Sequence, residues 1–176
     1  IIGAYADNCV RIWDSKKAAF KETVATNTSP FTAYAISPDL KKIIAGSKDG
    51  SLIVWDYEKE KNPLPVKKHS DKINSIEFSR DGTRFITSSD DSTAMIWNTE
   101  NGQLIHILKG HAGPLMHAAI SYDGNKAITA SFGMGAKLWN LHTGQLISNL
   151  GNPGALCMQT SFSPDGKRII IAAFEN

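Results

Sequence analysis

The chain has 176 residues, and 19 basic against 17 acidic side chains leave a net charge of +2, with the basic ones scattered in short pairs at Lys16-Lys17, Lys41-Lys42 and Lys67-Lys68. No contiguous basic stripe suits a phosphate backbone, so direct nucleic-acid binding is not expected, and such pairs read as solvated faces that blunt edge pairing. Two cysteines, Cys9 and Cys157, suggest neither a disulfide framework nor a zinc site; with no signal peptide or long apolar run in the sequence, they point to a reducing, intracellular setting, cytoplasmic with the nucleus left open, and to no membrane partner.

In chain order the first landmark is Trp13, and the only other tryptophans, Trp55, Trp97 and Trp139, follow at a constant spacing of 42 residues. Ser37, Ser79, Ser121 and Ser163 keep the same spacing, and each is followed two residues later by Asp39, Asp81, Asp123 or Asp165. Gly82, Gly124 and Gly166 complete three of these runs, which are turn-forming, so each marks a hairpin corner. A period of this size identifies stacked supersecondary units.

Residues 72–78 read as a strand before one corner, and 84–89 and 94–98 as two strands between that corner and Trp97. A fourth strand follows a turn containing Gly102, over 103–108. No window sustains an apolar period of 3.6, so the reading is all-β, with four antiparallel strands per period. The units fall at 26–67, 68–109 and 110–151, with partial units at 1–25 and 152–176. Residues 1–8 share the phase of 169–176, and the chain begins with Ile, so the expectation is a segment of a longer polypeptide.

Arg11-Ile12-Trp13-Asp14, Ile53-Val54-Trp55-Asp56, Met95-Ile96-Trp97-Asn98 and Lys137-Leu138-Trp139-Asn140 stand at the end of a strand in each unit. In this pattern the chain resembles WD-repeat β-propellers along its whole length, with Asn for Asp in the last two units. The resemblance implies a propeller of four-stranded antiparallel blades, about four of them from a seven- or eight-bladed ring that the remainder of the chain completes. A four-bladed ring, or a homodimer closing an eight-bladed one, is the alternative. It also implies a buried structural tetrad in one blade, formed by His69, Ser89, Asp91 and Trp97. Asn27 takes the histidine place one blade earlier, and Gly133 the aspartate place one blade later. A catalytic Ser-His-Asp reading of the same residues fails because a nucleophile needs an exposed cleft and an oxyanion hole, whereas this serine is expected on a packed strand. His106, His117 and His142 show no metal-ligand spacing.

In the family, the residue before the tetrad aspartate stands at a loop tip, and that column reads Ala6, Lys48, Asp90, Phe132 and Phe174. A second column, Thr32, Asn74, Met116 and Met158, is expected near the channel mouth. Both turn apolar in the last two blades. Met116, Phe132, Met158 and Phe174 are therefore the expected apolar part of a partner-binding surface, with Lys48 and Asp90 as its polar flank. The competing reading is interblade packing, with Gly133 and Gly135 distorting the turn. Asp7, Trp13, Asp14 and Lys16 resemble the box by which some WD-repeat proteins recruit cullin ubiquitin ligases, with lysine in place of the usual arginine.

No phosphate-binding loop and no metal or cofactor motif appears, so no enzyme activity and no cofactor are expected. The leading function is a non-catalytic scaffold that binds one or more proteins. A regulatory propeller attached to a nucleotide-hydrolysing switch or kinase, and a subunit of an RNA-processing particle, are the alternatives.

Overall fold

The computed structural model describes residues 2–5, 9–14, 16–17, 19–26, 28–56, 64–133, 135–151 and 154–174. Every regular element among them is a strand, and every pairing is antiparallel between strands adjacent in sequence. The first sheet holds β1 (Ile2–Tyr5), β2 (Cys9–Asp14) and β3 (Ala19–Thr26). The second holds β4 (Phe31–Ile36), β5 (Lys42–Ser47), β6 (Ser51–Asp56) and β7 (Leu64–Lys67), and the third β8 (Ile73–Phe78), β9 (Arg84–Ser89), β10 (Ala94–Asn98) and β11 (Leu104–Leu108). The fourth holds β12 (Leu115–Ile120), β13 (Lys126–Ser131), β14 (Gly135–Asn140) and β15 (Leu146–Leu150), and the fifth β16 (Leu156–Phe162) and β17 (Ile169–Phe174). These are propeller blades, three of them with four strands. No helix among the described residues is long and apolar enough to cross a membrane.

The corners form as their sequence dictates. Ser79 Oγ donates to Asp81 Oδ1 at 2.7 Å, the amide of Thr83 donates to the same oxygen at 3.0 Å, and Gly82 N closes the turn on Ser79 O at 2.9 Å. The closing residue has a left-handed backbone in every corner, with φ of 69° at Gly82, 70° at Gly124, 67° at Gly166 and 63° at Leu40. Leu40 therefore sits where the other corners use glycine.

The core lies between blades. Inner strands such as β9 are buried on both faces, while the outermost strand β11 alternates. Ala33, Ile44 and Leu52 of the second blade pack on Phe85, Met95 and Trp97 of the third, where Phe85 and Trp97 stack with ring centroids 5.8 Å apart. Ile86, Ile96 and Leu108 of the third blade pack in the same way on Leu115, Trp139 and Leu141 of the fourth. Trp55, Trp97 and Trp139 are thus seam residues, each facing the blade before its own.

Candidate functional site

A polar chain runs beneath Trp97. The indole Nε1 donates to Thr87 Oγ1 at 3.0 Å, that hydroxyl lies 2.7 Å from His69 Nε2, and His69 Nδ1 lies 2.8 Å from Asp91 Oδ2. A hydroxyl that accepts from the indole has its one proton left for Nε2, so the imidazole keeps its proton on Nδ1 and gives it to the carboxylate. Burial lowers the His69 pKa, partly opposed by Asp91, which suits a neutral ring. Burial alone would raise Asp91, but hydrogen bonds from Thr93, His69 and the Ser70 amide outweigh it and hold the carboxylate ionised.

The hydroxyl of this tetrad is Thr87, which corrects the sequence assignment to Ser89. Strand register gives the reason. Trp97 is paired with Phe85 and Met95 with Thr87, so Thr87 is the diagonal same-face neighbour of the indole, while Ser89 lies one further pleat away. Ser89 Oγ instead donates to Asp71 O at 3.0 Å and accepts from Asp91 N at 3.1 Å. Ser89 is fully buried and makes no bond to His69, so the two do not form a nucleophile and base.

The fourth blade repeats part of this arrangement. Trp139 Nε1 donates to Thr129 Oγ1 at 2.8 Å, and His111 Nε2 lies 2.7 Å from the same oxygen. Gly133 supplies no carboxylate, and His111 Nδ1 is buried without a hydrogen-bond partner among the described residues. Burial, followed by the charge of Lys137, pushes His111 down to a pKa of about 4. In the second blade Ala45 takes the threonine place, and Asn27 lies outside the described residues.

The column Thr32, Asn74, Met116 and Met158 falls on a β-bulge of the first strand in each blade, between Phe31 and Ala33, Ile73 and Ser75, Leu115 and His117, and Cys157 and Gln159. A bulge re-aims its extra side chain. Here it aims two of them at the next blade: Thr32 Oγ1 donates to Ile73 O at 2.6 Å, and Asn74 Nδ2 to Leu115 O at 2.9 Å. The polar members of this column are therefore interblade ties.

The loop-tip column is geometrically equivalent from blade to blade, since Lys48 N, Asp90 N and Phe132 N donate to Pro30 O, Lys72 O and Pro114 O. Phe132 is 48% exposed, Phe174 67% and Met158 36%, and Lys48 is also exposed. Met116 is half-buried. Asp90 is half-buried as well, and its Oδ1 accepts from Asn74 Nδ2 at 2.6 Å, so it serves the Asn74 tie. Phe132 and Met116 share one end of the fourth blade, and Phe174 and Met158 the same end of the fifth. Trp13 lies on β2 and Lys16 is exposed, but Asp7 and the side chain of Asp14 lie outside the described residues.

Thr87 and Thr129, in one column ten residues before their tryptophans, were the signal that Ser89 concealed. A second arrangement was hidden in histidines with no metal spacing: His106 Nε2 donates to His142 O at 2.8 Å, and His142 Nε2 to Asn125 Oδ1 at 2.9 Å, which latches the third blade to the fourth. Among the described residues no three His, Cys, Asp or Glu side chains are grouped so as to hold a metal ion.

No curated protein matches the chain. Four-stranded meander blades, a tryptophan seam between them and a buried His-Thr-Trp chain agree with what the family comparison finds over residues 4–134: a match to the N-terminal β-propeller domain of the nucleolar protein 10-like family, to which this chain belongs as a WD-repeat propeller.

Proposed function

We propose that this propeller is a non-catalytic protein-interaction platform that works in the nucleolus as part of a ribonucleoprotein assembly. The observation that carries the binding role is the apolar end of the fourth and fifth blades, where Phe132, Met158 and Phe174 stand exposed at one end of neighbouring sheets. Exposed aromatics offer large contact area with few rotors to freeze, which is the usual composition of a protein-binding hot spot. The family's description supports the nucleolus over the cytoplasm as its place. With a net charge of +2 and no basic stripe, contact with RNA runs through partner proteins.

Imaging the tagged intact protein and sedimenting nuclear extract test this reading. Nucleolar signal and co-sedimentation with large ribonucleoprotein particles are expected, and both should weaken in the Phe132→Ser/Phe174→Ser variant while its melting temperature holds. Cytosolic signal alone, or unchanged association in the double variant, would overturn it.

A further inference from the structure

A groove of about 570 Å³ opens between the second and third blades on the face that carries the Ser-x-Asp corners. Four carboxylates line it, those of Asp39, Asp56, Asp81 and Glu100, against one cation, Lys42, whose Nζ is held by Asp56 Oδ2 at 3.2 Å. Asp39 and Asp81 use Oδ1 for their own turns, and Oδ2 of each makes no hydrogen bond among the described residues. The Glu100 side chain is exposed and makes none either. Val54 and Val66 give the groove an apolar wall.

Acidic residues alone would describe only a solvated face, but the groove contains a second feature. Thr99 lines it and is 5% exposed, and its Oγ1 is buried with no hydrogen-bond partner among the described residues. The fourth blade carries an apolar residue at the same position. Thr99 N donates to Thr83 O at 3.0 Å and Leu141 N to Asn125 O at 2.9 Å, so the two residues are equivalent, and Leu141 is fully buried in the core.

Every other member of the groove has its counterpart there too. His142 replaces Glu100, Arg84 replaces Lys42 and Asn125 replaces Thr83. His142 bonds to Asn125, accepts from His106 through its carbonyl and lies 3.4 Å from an Arg84 nitrogen, so its side chains fill the outer part of the seam between the third and fourth blades, and a smaller hollow of about 220 Å³ is left between the Asp81 and Asp123 corners. Between the second and third blades these places hold an unpaired carboxylate and an unsatisfied hydroxyl.

We propose that this groove binds a basic, extended segment of a partner protein. An arginine or lysine stem lies along Val54 and Val66 with its cation among Asp39, Asp81 and Glu100, and a polar group of the same segment bonds Thr99 Oγ1. The absence of any metal-like grouping among the described residues means these carboxylates are too dispersed for a single small cation, which suits a chain with several donors. Burial raises no obstacle: the Ser79 hydroxyl and the Thr83 amide hold Asp81 below the usual carboxylate range, as Ser37 and Lys41 do for Asp39, so both are charged at neutral pH.

The test is fluorescence anisotropy of the intact protein with a fluorescein-labelled decapeptide of alternating arginine and glycine. Saturable binding that weakens with salt is expected. Glu100→Gln should weaken it by about threefold, and Thr99→Leu/Glu100→His, which installs the fourth blade's own closure, by about tenfold or more. Asp71→Asn, on the opposite face, should leave it unchanged, and thermal melts should show all three variants folded. Equal affinity in the Thr99→Leu/Glu100→His variant, or an equal loss with Asp71→Asn, would overturn the proposal, the latter by showing attraction to charge anywhere on the surface. The site is separate from the apolar end of the last two blades, so the Phe132→Ser/Phe174→Ser variant keeps peptide affinity even if that surface binds nothing.

Discussion

Thr87 satisfies two buried groups, Trp97 Nε1 and His69 Nε2, with one hydroxyl. Removing it strands both, and each orphaned buried group costs about 1–3 kcal/mol. Thr87→Val should therefore destabilise the protein by about 3 kcal/mol in urea unfolding, and Ser89→Ala, which loses bonds to backbone alone, by about 1 kcal/mol. The reverse order would restore Ser89 to the tetrad. His111 makes a pH prediction. Its folded pKa of about 4 lies below the ordinary histidine value of 6.5, so between these limits the unfolded chain binds its proton more readily. Stability from this group is complete above pH 6.5 and drains away as pH falls toward 4. Burial lowers His69 and His117 as well, so they act in the same direction. Urea midpoints measured across this window should fall with acidity, and less steeply in His111→Gln.

Corners and bulges set the behaviour of single elements. Leu40 is 73% exposed, so it gains little packing for a left-handed backbone that L side chains resist by about 1–2 kcal/mol. Leu40→Gly should stabilise the protein by about 0.5–1 kcal/mol, because glycine's extra unfolded-state entropy offsets part of the relieved strain. At the bulge of β12, Met116 cannot make the tie that Thr32 and Asn74 make. Met116→Thr gives that strand a donor, and a gain of about 1 kcal/mol is expected. Thermal melts check both, and a loss at Met116→Thr would show that methionine packing outweighs the tie. The corner carboxylates are anchored by the same local chemistry throughout: the Ser121 hydroxyl and the Asn125 amide hold Asp123 at a pKa of about 2.

At the scale of the molecule, stability is a sum over blades and the seams between them. The seam between the third and fourth blades is tied at its inner edge, where the amides of Ala118 and Ile120 donate to Ser75 Oγ at 3.0 Å and Glu77 Oε1 at 2.8 Å. Burial pushes Glu77 up, and the Ile120 amide opposes it. Glu77→Gln keeps the acceptor and should be near neutral, whereas Glu77→Met orphans the amide and should cost about 1–3 kcal/mol. Amide exchange read by NMR should then speed up at Ile120 and Ala118 in Glu77→Met alone. Uniform acceleration across all blades would mean that the arc unfolds as one unit.

The 42-residue spacing of the tryptophans and the Ser-x-Asp runs was enough to determine the all-β class, four strands per blade and the corners, because turn chemistry and strand alternation are local. It also marked Phe132, Met158 and Phe174 as departures from the repeat. What it could not determine was anything set by how strands lie across one another. Register and pleat gave the tetrad to Thr87 and not Ser89, since reach to an indole depends on diagonal pairing. Bulges aimed Thr32 and Asn74 at backbone carbonyls of the next blade. Two residues adjacent in sequence, Thr99 and Glu100, read as an ordinary turn until the seam beside His142 showed the same groove largely filled by its own side chains. Those differences arise between blades, where distant residues meet, and only the tertiary structure brings them together.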